Sequence, residues 1–127
     1  MSDPYAGFDS LIGLSITSAT ADEVVATLTV TPEHHQPYGL VHGGVMCSIV
    51  ETVCSVGAAM WFGDRGKVVG ANNNTHLLRG VREGVLTAVA TPVHRGSTQQ
   101  LWTVDIRDEQ DRLVSQGQLR VANLAAG

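Results

Sequence analysis

The sequence predicts an α+β fold, a curved antiparallel sheet wrapped around one long central helix. Three observations carry that expectation. Residues 43–60 form one proline-free run of helical length. The segments on either side alternate apolar and polar residues with period two, and clusters of Gly, Pro or Asp separate them. Two strands, one helix and then four strands in a meander make an α+β pattern. At 127 residues the chain is expected to be a single domain over 1–127, long enough to bury about two-thirds of its unfolded surface without a staple.

Each element has its own justification. Tyr5–Leu11 reads as a short helix or turn. Leu14–Ala19 and Asp22–Thr31 read as a strand pair, with Val24, Ala26, Leu28 and Val30 facing one way and Val25, Thr27, Thr29 and Thr31 the other. Pro32 ends the pair, and Pro37-Tyr38-Gly39 marks a loop. In the helix, Val45, Ile49, Val53, Val56 and Met60 keep helical spacing, while Ser48, Glu51, Thr52 and Ser55 form one narrow polar stripe. A helix apolar nearly all round is normally buried. Its polar stripe then needs hydrogen-bonding partners or a purpose. Four further strands are expected at Lys67–Leu78, Val85–His94, Gln99–Arg107 and Arg112–Leu124, and the sheet's outer face is left for a neighbouring subunit.

Composition narrows the function. Charged residues make up 16 % of the chain, against about 25 % in ordinary soluble domains, so part of the surface is expected to be covered in an oligomer. The net charge of −4 and the lack of any Lys/Arg cluster of more than two residues argue against nucleic acid as the main partner. Met1-Ser2-Asp3-Pro4 offers no basic region followed by an apolar run, so no signal peptide is expected. Between His34 and Phe62 the only formal charge is Glu51. A charge there would cost about 2.5–3.5 kcal/mol at a bilayer centre, so a core helix is expected and no membrane span. Cys47 and Cys54, on one helix, lie about 10 Å apart and beyond disulfide reach; they read as small core hydrophobes of a cytoplasmic protein. No metal-ligand spacing is present.

The chemistry sits in His34-His35-Gln36-Pro37-Tyr38-Gly39-Leu40-Val41-His42-Gly43-Gly44, which leads into the helix carrying Glu51. Glycines at a helix start let a ligand approach the backbone, and the first N–H groups there are unpaired. With the positive end of the helix dipole, they suit a carbonyl oxygen that becomes negative during attack. Glu51 lies eight residues on and is expected to look across the same cleft as a general base or a nucleophile. Each part also has a bland reading: turn chemistry for Gly43-Gly44, a paired structural charge for Glu51, a capping or packing histidine for His42.

The run His42-Gly43-Gly44 followed by Glu51 resembles the hotdog-fold acyl-CoA thioesterases, in the branch with Glu rather than Asp on the central helix. The likeness continues through Val68-Val69-Gly70, Asn74, Arg79, Arg82-Glu83-Gly84, His94, Gly96-Ser97, Gln100, Trp102 and the final strand. It is greatest to the 4-hydroxybenzoyl-CoA and 1,4-dihydroxy-2-naphthoyl-CoA thioesterases. The resemblance implies hydrolysis of an acyl-CoA, aromatic in preference to short or medium aliphatic, to free acid and CoA. It implies Glu51 as nucleophile or general base, Gly43 as N–H donor to the thioester carbonyl, and His42 as shaper of that turn. Gln36 would help place the thioester or the water, and Ser55 would orient the water or the carboxylate. Arg79, Arg82, Gly96, Ser97 and Thr98 would contact CoA. The resemblance also implies a homotetramer built as a dimer of dimers, sites between subunits, and no metal or cofactor, CoA being part of the substrate. The stretch Ala71–His76 departs from the family: it holds no Glu where relatives often carry one, and His76 falls one position from a histidine seen in some of them. A hotdog dehydratase is a rival, but the chain offers no matching His and Asp pair. A non-catalytic acyl- or CoA-binding subunit is another, against which Gln36, Gly43 and Glu51 are present together.

Overall fold

A computed structural model describes residues 7–127; the readings on Met1–Pro4 and on Tyr5 lie outside the described residues. The element order is α1 (Phe8–Leu11), β1 (Leu14–Ala19), β2 (Val24–Thr29), α2 (Gly43–Phe62), β3 (Gly66–Leu77), β4 (Val85–Arg95), β5 (Gln99–Arg107) and β6 (Leu113–Ala125), with single 3-10 turns at Pro32–His34 and Gly63–Arg65. All six strands and the long helix fall where the patterns place them, and the sheet curves around α2.

One expectation is corrected. The sheet order is β1-β2-β4-β5-β6-β3, every neighbouring pair antiparallel. The last four strands are therefore no simple meander. Only β4-β5-β6 follows chain order, while β3 crosses to the far edge and pairs with β6 from Gly66↔Ala125 to Leu77↔Ser115. The connection between Leu77 and Val85 is long enough to allow this, running through Arg79 to Gly84 before β4 begins.

Alternation works in the sheet as expected. Val24, Ala26 and Leu28 of β2, Leu86, Ala88 and Ala90 of β4, and Trp102, Val104 and Ile106 of β5 all point at α2 and are almost wholly buried. Their partners on the helix are Val45, Met46, Ile49, Val50, Val53, Cys54 and Ala58. Each large side chain buried in this way contributes about 1.5–3 kcal/mol. Among the described residues α2 is the one helix long and apolar enough to cross a membrane, but it is the core helix of this sheet. Its buried stripe is narrower than expected: Met60 is 49 % exposed, because it lies outside the arc that the sheet covers.

Two contacts set the depth at which α2 sits. The Trp102 ring lies against Gly57, where a Cβ would come within 2.5 Å of its Cζ3. Trp102 Nε1 donates to Gln100 Oε1 at 2.8 Å, and Gln100 Nε2 donates to Ala58 O and to Asn123 Oδ1. Gln100 is fully buried with both ends satisfied, as a buried amide must be. Cys47 and Cys54 are free thiols, and burial pushes the Cys54 thiol well above its ordinary range, so it is an inert packing group.

Candidate active site

The start of α2 is built by the turn before it. Residues His35 and Val41 pair across a tight loop, and Gln36 N donates to Leu40 O at 2.8 Å. His34 anchors the base of the loop: its Nδ1 accepts from Thr31 N at 2.9 Å, and its Nε2 donates to Ile12 O at 2.6 Å. His35 Nε2 donates to Arg82 O, tying the loop to the segment before β4. His42 is the N-cap, and its Nδ1 accepts from Gly44 N at 2.8 Å. Its role is thus the capping one, which fixes Nδ1 as an acceptor.

That cap decides which amide is free. Gly44 N donates to His42 Nδ1 and Val45 N to His42 O at 2.9 Å, while Gly43 N has no acceptor among the described residues. Gln36 is in a comparable state. Its Oε1 accepts from Tyr38 N at 2.6 Å, and its Nε2 has no partner among the described residues. Both unpaired donors line one cleft of 290 Å³, with Leu40, Met46, Leu77, Leu78 and Arg79. The geometry suits reception of a carbonyl oxygen in an apolar, positively biased place.

Gly43 is not one of the glycines with positive φ, so its lack of a side chain is not a backbone requirement. It is a matter of space: a Cβ there would meet Leu77 Cδ1 at 2.5 Å.

Glu51 lies elsewhere. Eight residues of helix carry it about 12 Å along the axis and turn it by roughly 80° from Gly43. It opens into a separate recess of 220 Å³ lined by Phe8, Cys47, Ser48, Thr52 and Asn73. The expectation that Glu51 and Gly43 share a cleft is therefore corrected for a single chain. Glu51 Oε1 accepts from Asn73 Nδ2 at 3.2 Å, and Glu51 Oε2 lies over Gly70, where a Cβ would overlap it. Thr52 Oγ1 donates to Asp9 of α1, and Ser48 Oγ donates to Gly44 O, so Ser48, Glu51 and Thr52 of the polar stripe have partners. No hydrogen bond joins Ser55 to Glu51 among the described residues.

The five residues assigned to CoA divide into two groups. Arg79 lines the Gly43 cleft, and Arg82 reaches Tyr38 O at 3.3 Å beside it. Gly96, Ser97 and Thr98 form the β4–β5 turn, tied by Asn123 to Gln100 and so to Ala58 in the last turns of α2. Ala58 is about 22 Å up the helix from Gly43. One chain does not bring these groups together. His76 lies outward with Gln116, away from Glu51. Asn73 was missed by sequence reasoning; three successive asparagines in a strand, against β propensity, were the available signal.

Comparisons with known proteins agree with this architecture. Residues 38–115 match the thioesterase superfamily. A candidate esterase of Mycobacterium tuberculosis is 45 % identical, and its solved structure superposes with a TM-score of 0.92 over 94 % of this chain and 98 % of that one. A 1,4-dihydroxy-2-naphthoyl-CoA hydrolase of Listeria monocytogenes is 35 % identical over 85 % of this chain and 88 % of its own length. A Staphylococcus aureus thioesterase, solved with one glutamine changed to alanine, is 27 % identical with a TM-score of 0.85 over 89 % of this chain and 94 % of its own. The same protein was also solved with one glutamate changed to alanine.

Proposed function

Since the chain belongs to the thioesterase superfamily, and so to the thioester hydrolases, we propose that its substrate is an acyl-CoA, with an aromatic acyl group preferred. The observation that carries the reading is the pairing state of the polar groups around α2. Among the described residues Gly43 N–H and Gln36 Nε2 are donors without acceptors, while Glu51 Oε1 accepts one hydrogen bond, from Asn73 Nδ2. Donors and carboxylate are what acyl transfer from a thioester needs. The donors receive the carbonyl oxygen as it gains charge. Glu51 then attacks the carbonyl carbon itself, or takes a proton from the water that does. In the first case the C–S bond breaks to leave a mixed anhydride on Glu51 and CoA thiolate. A water then cleaves the anhydride, freeing the acid, restoring the Glu51 carboxylate and supplying the proton that the thiolate takes up. In the second the water's oxygen bonds the carbonyl carbon, the C–S bond breaks, and Glu51 passes the proton it took to the departing thiolate. The glutamine and glutamate changed in the Staphylococcus aureus thioesterase stand fifteen residues apart, the separation between Gln36 and Glu51 here. The aromatic preference rests on the naphthoyl-CoA hydrolases among the relatives.

The two halves of the machinery open into different recesses of one chain. The reading therefore pairs Gly43 and Gln36 of one copy with Glu51 of another, in a homo-oligomer. Among the described residues the long edge of β3 has no strand partner on its outer side, which suits a second copy. The same pairing unites Arg79 and Arg82 with Gly96–Thr98 around the CoA. In that arrangement sedimentation gives a dimer or tetramer at micromolar concentration; an active 13.4 kDa species refutes it. The substrate is tested by thiol release over short, long and aromatic acyl-CoAs. Fastest turnover of an aromatic thioester is expected. Fastest turnover of an aliphatic one overturns the preference, and binding without release from any of them indicates a non-catalytic subunit.

A further inference from the structure

The edge strand β3 carries a bulge. Gly70 pairs with Val121 and Asn72 with Arg120, so Ala71 is the extra residue. Val121 and Leu119 are buried toward α2, whereas Arg120 is exposed. Before the bulge Val68 and Gly70 therefore face α2; after it, Asn73, Thr75 and Leu77 do. Without the bulge, strict alternation would turn Asn73 and Thr75 outward. Bulges re-aim side chains in this way.

Three hydrogen bonds follow from that change of face. Asn73 Nδ2 donates to Cys47 O at 2.9 Å and to Glu51 Oε1 at 3.2 Å. Thr75 Oγ1 donates to Asn73 Oδ1 at 2.7 Å. This set fixes which end of the amide is which, because a flipped Asn73 would put its oxygen against a carbonyl and a carboxylate. Cys47 is four residues before Glu51 on the helix, so the amide spans one turn of α2 and ends on the carboxylate. Glu51 Oε1 is thus occupied, and the absent side chain at Gly70 leaves room for Oε2.

We propose that Asn73, oriented by Thr75, is a positioning residue that holds the Glu51 carboxylate in its working rotamer. The inference rests on the reading of Glu51 as the reacting carboxylate. Glu51 is on the exposed side of α2, where a long side chain otherwise samples several rotamers. Reacting groups lose about 100-fold in rate for a misplacement near 1 Å. Asn73 touches neither water nor thioester in this role; it acts through Glu51 alone.

The test measures kcat and KM by thiol release for wild type, Glu51→Gln, Asn73→Ala, Thr75→Val, Thr75→Ser and the Asn73→Ala/Thr75→Val pair, each shown to be folded by circular dichroism. Asn73→Ala is expected to lower kcat about 10- to 100-fold with KM changed less than about 3-fold. Thr75→Val gives a smaller loss of the same kind, and Thr75→Ser, which keeps the hydroxyl, recovers most of it. In the double variant the loss equals that of Asn73→Ala alone, because Thr75 acts through the amide. Wild-type kcat in Asn73→Ala, or losses that multiply in the double variant, overturns the proposal. If Glu51→Gln retains wild-type kcat, the reading of Glu51 fails first; if Glu51→Gln is inactive and Asn73→Ala fully active, only the positioning role fails.

Discussion

Replacing Gly43 by alanine puts one methyl group at the mouth of the donor cleft. Gly43 has an ordinary φ, so the backbone tolerates the change. The new Cβ would lie 2.5 Å from Leu77 Cδ1, and ordinary contact begins near 3.4 Å, so the leucine must retreat by about 1 Å. Leu77 is 58 % exposed and has solvent to move into, which keeps the cost in stability below about 1 kcal/mol. The rate is more sensitive. Leu77 and Gly43 line the same cleft, and the methyl crowds the one N–H that the thioester carbonyl would use. Losing an oxyanion donor outright costs about 100- to 1000-fold; an N–H that remains but is crowded should cost about 10- to 100-fold in kcat. The assay is thiol release at saturating acyl-CoA, with thermal melts on the same samples. Adding Leu77→Ala removes the clash and should restore part of kcat. Wild-type kcat in folded Gly43→Ala, or a rise in KM alone, refutes the oxyanion role.

Other consequences follow from the same structure. Gly57→Ala drives a methyl into the Trp102 ring, which is fully buried and cannot yield; overpacking of about 1–3 kcal/mol should lower the melting temperature by several degrees. In the β5–β6 turn, burial alone would raise the Asp108 carboxyl, but the N–H and guanidinium of Arg112 and the N–H of Gln110 outweigh it and hold it below its usual value. Its stabilising effect is therefore complete above about pH 4 and is lost as pH falls through the lowered value. The stability gap between wild type and Asp108→Asn should shrink on acidification below pH 4, and a gap that widens there contradicts the assignment. Arg79→Ala and Arg82→Ala should each raise KM for acyl-CoA, with a weaker salt dependence than wild type, since an arginine meets phosphate by charge-assisted hydrogen bonds. Unchanged KM in the double variant removes both from the site.

Much of this was legible in the sequence because the signals were local. Alternation in Val24–Leu28 and Gln100–Ile106 places strands directly, and the proline-free stretch between the Gly43-Gly44 turn and Gly63 bounds α2. What stayed hidden is non-local. No residue of β3 announces that its partner is β6 rather than β4. The bulge at Ala71 shifts the inward face by one residue, so strict alternation onward from Val68 and Gly70 would turn Asn73 outward although it lies on Glu51. The separation of Glu51 from Gly43 was within reach of helix arithmetic, since eight residues do not return to the same face. The His42 cap was an open alternative until the distance to Gly44 N closed it.

The central claim is that Glu51 is the group on which turnover depends. Its most direct test is kcat of Glu51→Gln against wild type, on the acyl-CoA that wild type hydrolyses fastest. Glutamine keeps the shape and the contact over Gly70 but cannot act as base or carboxylate nucleophile. A loss of at least about 100-fold in a folded variant is the expected result. A kcat within a few-fold of wild type would contradict the account.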